Sequence, residues 1–291
     1  MSKTRERLWF ALFTVPTILI FITVVIIPFI NGIVLAFFEW DGIAANPKIF
    51  VGLENFVKLW SDQRFLSSAF ITIKFTVLAV ISVNVLGLIF ALLCTSALKM
   101  KNLARTMIFM PNLIGGLILG YIWQFIFTDA FAILGELTGF DQVFFNWLLD
   151  KDYALYAIIF VFTWQMAGYM MIVYIAGIQS IPDELMEAAK IDGANYWQRL
   201  RHIVLPLLMP AITICLFLTL SFAFKQYDVN LSLTGGGPVR ATEMFAMHIY
   251  NEIFRYNNYG YGQAKAIIFF IIIAAISLTQ VYLTKKREVE M

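Results

Sequence analysis

Charge is scarce in this 291-residue chain: Asp, Glu, Lys and Arg together make up 14% of it, where soluble domains carry about a quarter. That shortage excludes an ordinary water-soluble globule. Cysteine occurs twice, at Cys94 and Cys215, and histidine twice, at His202 and His248. None of the four has the spacing of metal ligands, so no metal site is expected. Both cysteines sit in apolar runs and read as small buried hydrophobes. No G-x-x-x-x-G-K-[ST] phosphate loop is present, so the chain is not expected to bind ATP or any other cofactor. H-E-x-x-H, G-x-S-x-G and paired carboxylates within a span are missing too, which argues against an intramembrane enzyme and leaves no catalytic residues to name. The net charge of +2 decides little by itself, and no nucleic-acid partner is expected.

What the chain has instead is long apolar runs. Hydrophobic residues make up 60% of it. Six runs lack acids and bases entirely: Leu8–Phe38, Phe75–Leu98, Thr106–Thr128, Tyr153–Pro182, Ile203–Phe224 and Ala266–Thr284. A helix crosses the hydrocarbon core with about 20 apolar residues, and a helix satisfies its own backbone where water is absent. The expected fold is therefore all-α and integral to the membrane, one domain over 1–291 with six transmembrane helices. Their approximate bounds are 8–38, 72–98, 104–128, 153–179, 203–226 and 264–284. The basic start at Lys3, Arg5 and Arg7 resembles a signal peptide. The first run is far longer than a signal core, however, and no small-residue cleavage site follows cleanly, so it reads as a span. Pro16 and Pro28 are expected to kink it or unwind it partly.

Six spans put both termini on one side. The segments 1–7, 99–105, 183–202 and 285–291 carry 12 Lys+Arg against 7 Asp+Glu, net +5; the other side carries 9 against 12, net −3. The positive-inside rule makes the termini cytoplasmic. The loop 180–206 is then cytoplasmic, and 39–71, 129–152 and 227–263 are outer loops.

That cytoplasmic loop is the one charged, amphipathic stretch between two spans. Ser180-Ile-Pro-Asp183 has the form of a capping box, with Pro182 in the first turn and Asp183 and Glu184 at the positive helix end. Glu184–Lys190 is strong helix former. Asp192-Gly193 stops it, glycine taking the left-handed position, and Asn195 caps a second helix. The apolar Leu185, Met186, Ala189, Tyr196, Trp197 and Leu200 need cover. Residues 183–202 hold three bases and four acids, a poor match to an anionic lipid surface, so a protein groove suits this packet better than headgroups.

Here the residues resemble a known family. Glu187-Ala188-Ala189, Gly193 and then Ile203, Leu205 and Pro206 keep the spacing of the signature of ABC-importer permease subunits. Leu233–Ala266, with its Gly235-Gly236-Gly237-Pro238 turn, is similar to the carbohydrate branch that handles maltose and glycerol phosphate. Pro111-Asn112 and Phe145–Leu149 also look like that branch, and the likeness covers nearly the whole chain. The resemblance implies a type I importer permease fold in a prokaryotic cell membrane. It implies a coupling helix formed by Glu187, Ala188, Ala189, Asp192, Gly193, Ala194, Leu205 and Pro206. The implied partners are a second homologous permease, two ATPase protomers that hold ATP and Mg, an extracytoplasmic sugar-binding protein, membrane lipid and a sugar, an oligosaccharide.

Two helical faces suit a sugar, which binds through aromatic rings and hydrogen-bonding groups. Phe162, Gln165, Met166 and Tyr169 share one face of the fourth span, and Ser221, Phe224, Lys225 and Asp228 have the same i, i+3, i+4, i+7 spacing on the fifth. The resemblance implies that these positions line the translocation site. The maltose type has amides where Lys225 and Asp228 stand here. Lys225 also reads as a snorkelling residue paired with Asp228. Ionisable groups at membrane depth are functional candidates, so Lys225 and Lys265 are expected to favour a sugar with a carboxylate or many hydroxyls. Asn84, Asn112 and Gln124 rank lower as polar contacts. The alternative is an ATP-independent secondary transporter or channel. It calls for intramembrane carboxylates or broken helices, often in inverted repeats; the six runs hold no carboxylate, and no repeat is visible.

Overall fold

The computed structural model describes residues 3–96 and 100–288. The expected end of the second span at 98, Lys99 and Glu290 lie outside the described residues. Among the described residues, five helices are long and apolar enough to cross a membrane: Trp9–Leu35, Gln63–Thr95, Gly116–Thr138, Ala154–Gln179 and Tyr259–Lys285. A bent pair, Tyr196–Leu207 and Met209–Phe224, makes a sixth. These are called the first, second, third, fourth, sixth and fifth spans respectively. The chain divides into two compact units, residues 1–65 with 249–270, and residues 66–248 with 271–291.

The first unit holds the first span. Its helix runs straight through Pro16 and loosens into a π turn at Ile22–Ile26, just before Pro28. Proline lacks the N–H that a helix would use four residues back, and its ring crowds that carbonyl; one wide turn absorbs both effects. After the span a short antiparallel hairpin pairs β1 (Phe38–Glu39) with β2 (Ile49–Phe50), Phe38 opposite Phe50. The first half of the sixth span packs here. A Cβ at Gly260 would stand 1.8 Å from the Phe38 carbonyl oxygen, so only glycine allows this approach.

The second unit is built on the fourth span. Ala157, Ile158, Val161, Phe162, Met170 and Met171 are buried, while Tyr156, Phe160, Trp164 and Ile172 leave one stripe of it exposed. A helix that is apolar all round belongs in an interior or in a membrane, and this one meets both. The neighbouring helix Lys101–Phe109 crosses it at Gly168, where an added Cβ would lie 2.1 Å from the Ile108 carbonyl oxygen. Polar side chains join the helices: Ser82 meets Thr163 at 2.7 Å. Asn84 accepts from the Tyr174 hydroxyl at 2.8 Å and donates to Thr219 at 3.2 Å. Asn84 is thus a structural residue.

The second span starts at Gln63, ahead of the expected 72, and two spans break where one unbroken helix is expected. The third does not run over 104–128. Helix Lys101–Phe109 tightens into a 3₁₀ turn at Met110–Leu113, the backbone extends at Ile114 and Gly115, and a new helix starts at Gly116. The fifth does not run over 203–226. It bends by 67° at Leu208, between Pro206 and Pro210, which take two donors out of adjacent turns. It then ends at Phe224, and a separate helix begins at Asp228.

The Gly168 crossing yields a stability prediction. Gly168→Ala forces backbone apart and costs about 1–3 kcal/mol, the range for overpacking. Thermal unfolding of the full chain in nanodiscs is expected to shift down; an unchanged midpoint would contradict the packing described.

Candidate functional site

The loop between the fourth and fifth spans folds as a helix pair. The first helix, Asp183–Ile191, has Pro182 at its N-cap with no side-chain cap. The Ser180 hydroxyl instead donates back to the Gly177 carbonyl at 2.8 Å. The expected Ser180–Asp183 capping box therefore does not form, because the end of the fourth span claims the serine. Asp183 and Glu184 do occupy the first turn.

The stop is as expected. Gly193 sits at φ +76°, its N–H reaches the Lys190 carbonyl at 3.1 Å, and the Ala194 N–H reaches the Ala189 carbonyl at 2.9 Å. This is a Schellman pair of bonds. Asn195 then starts the second helix with a complete capping box: its Oδ1 accepts from Gln198 N at 2.9 Å, and Gln198 Oε1 accepts from Asn195 N at 2.8 Å. Arg199 donates to the Ala194 carbonyl. From Tyr196 the helix continues through a π turn at Leu200–Val204 to Leu205 and Pro206. The turn is thus bonded back to the first helix through the N–H groups of Asp192, Gly193 and Ala194 and forward to the second through the Asn195 box. Ala189 is buried while Glu187, Ala188, Asp192 and Gly193 face outward. Leu185, Ile191, Tyr196 and Trp197 stay exposed beside them, Ile191 at 86%. This is an apolar surface with an acid at its centre, in a form that another protein could grip.

The sugar-lining expectation divides. Phe162 is fully buried and packs edge-on against Phe75 at 5.4 Å; it is core, on the buried side of the fourth span. Gln165 is pinned: its Nε2 donates to the Ile114 carbonyl at 3.0 Å, at the break before the third span. The Met166 sulfur lies 3.7 Å from Asn112 Nδ2, and Tyr169 stands edge-on to Phe222. Ser221 is half-buried, Phe224 is buried, and Lys225 is exposed at the helix end. Asp228 belongs to the next helix, so the expected four-residue face on one helix does not exist. The cause is the chain break at Lys225–Tyr227, which carries no proline or glycine to announce it. Asp228 instead lies against Gly116, whose Cβ would meet Asp228 Cβ at 2.8 Å. Among the described residues no ion pair joins Lys225 to Asp228. The structure thus gathers Asn112, Gln165, Met166 and Asp228 around one helix break. Gln124 donates weakly to the Leu233 carbonyl, at 3.4 Å.

Lys265 is not free to meet a substrate. It is fully buried in the first unit, with Nζ 2.6 Å from Glu252 and 2.8 Å from Asp62, over the ring of Tyr261. Burial alone would push the Asp62 carboxyl up. The Lys265 ammonium, the Phe65 N–H and the Tyr261 hydroxyl outweigh it and hold that group at about 2.

The family model described as "Binding-protein-dependent transport system inner membrane component" matches residues 83–289. The chain is 49% identical over 287 residues to the probable starch degradation products transport system permease protein AmyD of Thermoanaerobacterium thermosulfurigenes, covering 99% of this chain and 97% of that one. It is 32% identical to the multiple sugar-binding transport system permease protein MsmF of Streptococcus mutans, over 99% of each. Its fold is similar to that of a chain in a bacterial ABC transporter involved in the import of alginate, with TM-score 0.84, 21% identity and 97% and 96% coverage. The fold is that of a type I importer permease.

Two predictions follow from the geometry. Nothing stands near a Cβ at Gly193, so Gly193→Ala costs about 1–2 kcal/mol through the left-handed backbone alone. Uptake is expected to fall while the melting of the spans stays put; full uptake would mean the turn is dispensable. Lys265→Met strands two carboxylates and costs about 3–5 kcal/mol. The triple variant with Asp62→Asn and Glu252→Gln is expected to regain most of that in thermal melts. The stability that Asp62 adds is fully present above 3.8 and is lost as pH falls through about 2.

Proposed function

Because the chain belongs to the family of binding-protein-dependent transport system inner membrane components, we propose that it is the membrane-spanning subunit of an ATP-driven importer of a sugar, an oligosaccharide. The single observation that carries this reading is the locked helix pair around Glu187 and Gly193. A loop braced at both ends by backbone and side-chain bonds transmits a push, whereas a floppy one absorbs it. The names of the AmyD and MsmF relatives support a sugar as cargo.

In this reading both termini and the helix pair are cytoplasmic, on the side with net +5 of flanking charge. The loaded binding protein docks on the outer loops. Two ATPase protomers grip the helix pair of this chain and that of a second, homologous permease. ATP binding closes the ATPase pair and rocks the spans to face outward; hydrolysis in the ATPases resets them. This is alternating access by rigid-body motion between two states. Asn112, Gln165, Met166, Tyr169, Ser221, Lys225 and Asp228 are the groups offered to the sugar on its way.

Glu187→Lys tests the reading, since Glu187 is exposed and its replacement leaves the fold intact. ATP-dependent sugar uptake is expected to fall by roughly 10–100-fold, the scale of a coupling free energy of about 1–3 kcal/mol. The amount of protein in the membrane is expected not to change. Undiminished uptake would put an independent carrier in place of the importer.

A further inference from the structure

The second unit holds a cavity of about 370 Å³ between the helix pair and the ends of three spans. Its apolar wall comes from Leu92 in the last turn of the second span, Ile178 in the last turn of the fourth, and Leu200 and Val204 at the start of the fifth. Asp183, Lys190, Tyr196 and Arg199 of the helix pair supply its polar wall. Thr95 and Ser96 also line it, but their hydroxyls are spent on the Ala91 and Leu93 carbonyls one turn back, at 2.9 and 2.6 Å. The volume falls within the usual range of small-molecule sites, roughly 300–1,000 Å³. None of the sugar-facing positions lines it, and neither does any residue assigned to ATPase coupling.

The cations of this wall are open to a ligand. Among the described residues neither Lys190 nor Arg199 takes part in an ion pair. Arg199 gives Nη1 to the Ala194 carbonyl. Its Nε is closed to water without a partner, and Nη2 bonds to nothing among the described residues. A guanidinium carries five N–H donors in a planar fork that matches the oxygens of a phosphate. Lys190 lies in the last turn of the first helix and Arg199 in the second helix, so one anion held by both would tie the helices together.

Asp183 lines the same cavity, and among the described residues no base pairs with it. Two cations and one carboxylate leave the wall at net +1. That suits the single negative charge of a phosphodiester better than the larger charge of a free phosphate or a phosphomonoester. It also leaves a carboxylate for an ammonium on the same ligand.

Position selects the source. Three spans end at this cavity, so it lies where hydrocarbon gives way to headgroups. A lipid phosphate occupies that level, with its acyl chains beside the spans. We propose that the cavity is a socket for the head of one aminophospholipid. The phosphate sits between Lys190 and Arg199, the ammonium at Asp183, and the top of an acyl chain against Leu92, Ile178 and Val204. Residues 183–202 hold three bases and four acids, so this is one socket and not a basic membrane-binding face. The assignment goes beyond the importer reading: it needs the chain to span a membrane, and it holds on whichever side the helix pair lies.

The test uses the full chain in nanodiscs that contain phosphatidylethanolamine with a diazirine near the top of one acyl chain. After irradiation the adducts are mapped by mass spectrometry. Adducts are expected on the peptides that hold Leu92 and Ile178, and also on the first span, which is exposed along its length. Lys190 is exposed, so Lys190→Glu leaves the fold intact. It is expected to lower the Leu92 and Ile178 adducts about fivefold, the scale of one basic group at a lipid surface, with the first-span adducts unchanged. Lys190→Arg is expected to keep them. Adducts at Leu92 and Ile178 that are missing, or that Lys190→Glu leaves as they were, would mean surrounding lipid only and overturn the socket. Their loss to excess inorganic phosphate or glycerophosphoethanolamine would put a soluble anion in the cavity and overturn the lipid. Equal labelling by the phosphatidylglycerol analogue would overturn the part given to Asp183. Each of these outcomes leaves the uptake test of Glu187 standing.

Discussion

Inside hydrocarbon, every backbone N–H and C=O must find its partner in the protein, and the chain depends on how that condition is met where helices stop. At the break before the third span, the Ile114 carbonyl takes a hydrogen from Gln165. Arg105 reaches the Cys94 carbonyl at 2.9 Å, near the end of the second span. Each is a polar side chain in an apolar neighbourhood whose task is to hold an interrupted backbone. The interruptions themselves place Asn112, Met166 and Asp228 together in the second unit, so the same constraint that limits the fold also shapes the polar site.

The number of spans and the loop turn were legible in the sequence because they rest on local rules. A charge-free run of sufficient length needs a membrane whatever surrounds it. Gly193 and Asn195 act through the backbone within a few residues, and both took the expected roles. Ser180 failed because two local partners competed for one hydroxyl, and the carbonyl of Gly177 won. The helix end at Phe224 was not legible, since nothing in Phe224–Asp228 breaks a helix by itself; tertiary packing against Gly116 sets it. The third-span break had a signal in Pro111, Asn112 and the Gly115-Gly116 pair, which the uniform hydropathy of the run concealed. Phe162 followed the right spacing and still proved to be core, because periodicity tells which residues share a face and not what that face meets.

Charge tells a similar story. Lys265 in sequence is an ionisable group within reach of a substrate. In the fold its ammonium is closed in by Asp62, Glu252 and Tyr261, so the base is a brace for the first unit. Removing Lys265 from the list of substrate groups withdraws one of the two cations that pointed to an acidic sugar.

The central claim is that the Glu187–Gly193 helix pair is the handle by which an ATPase moves these spans. The most direct measurement places a photo-crosslinking residue at Ala188, exposed on the first helix of the pair, in the full chain expressed with its own operon. The captured protein is then identified by mass spectrometry. The account predicts capture of a chain that carries a phosphate loop. A complex in which Ala188 reaches no such chain, or a permease that purifies folded and alone, would contradict it.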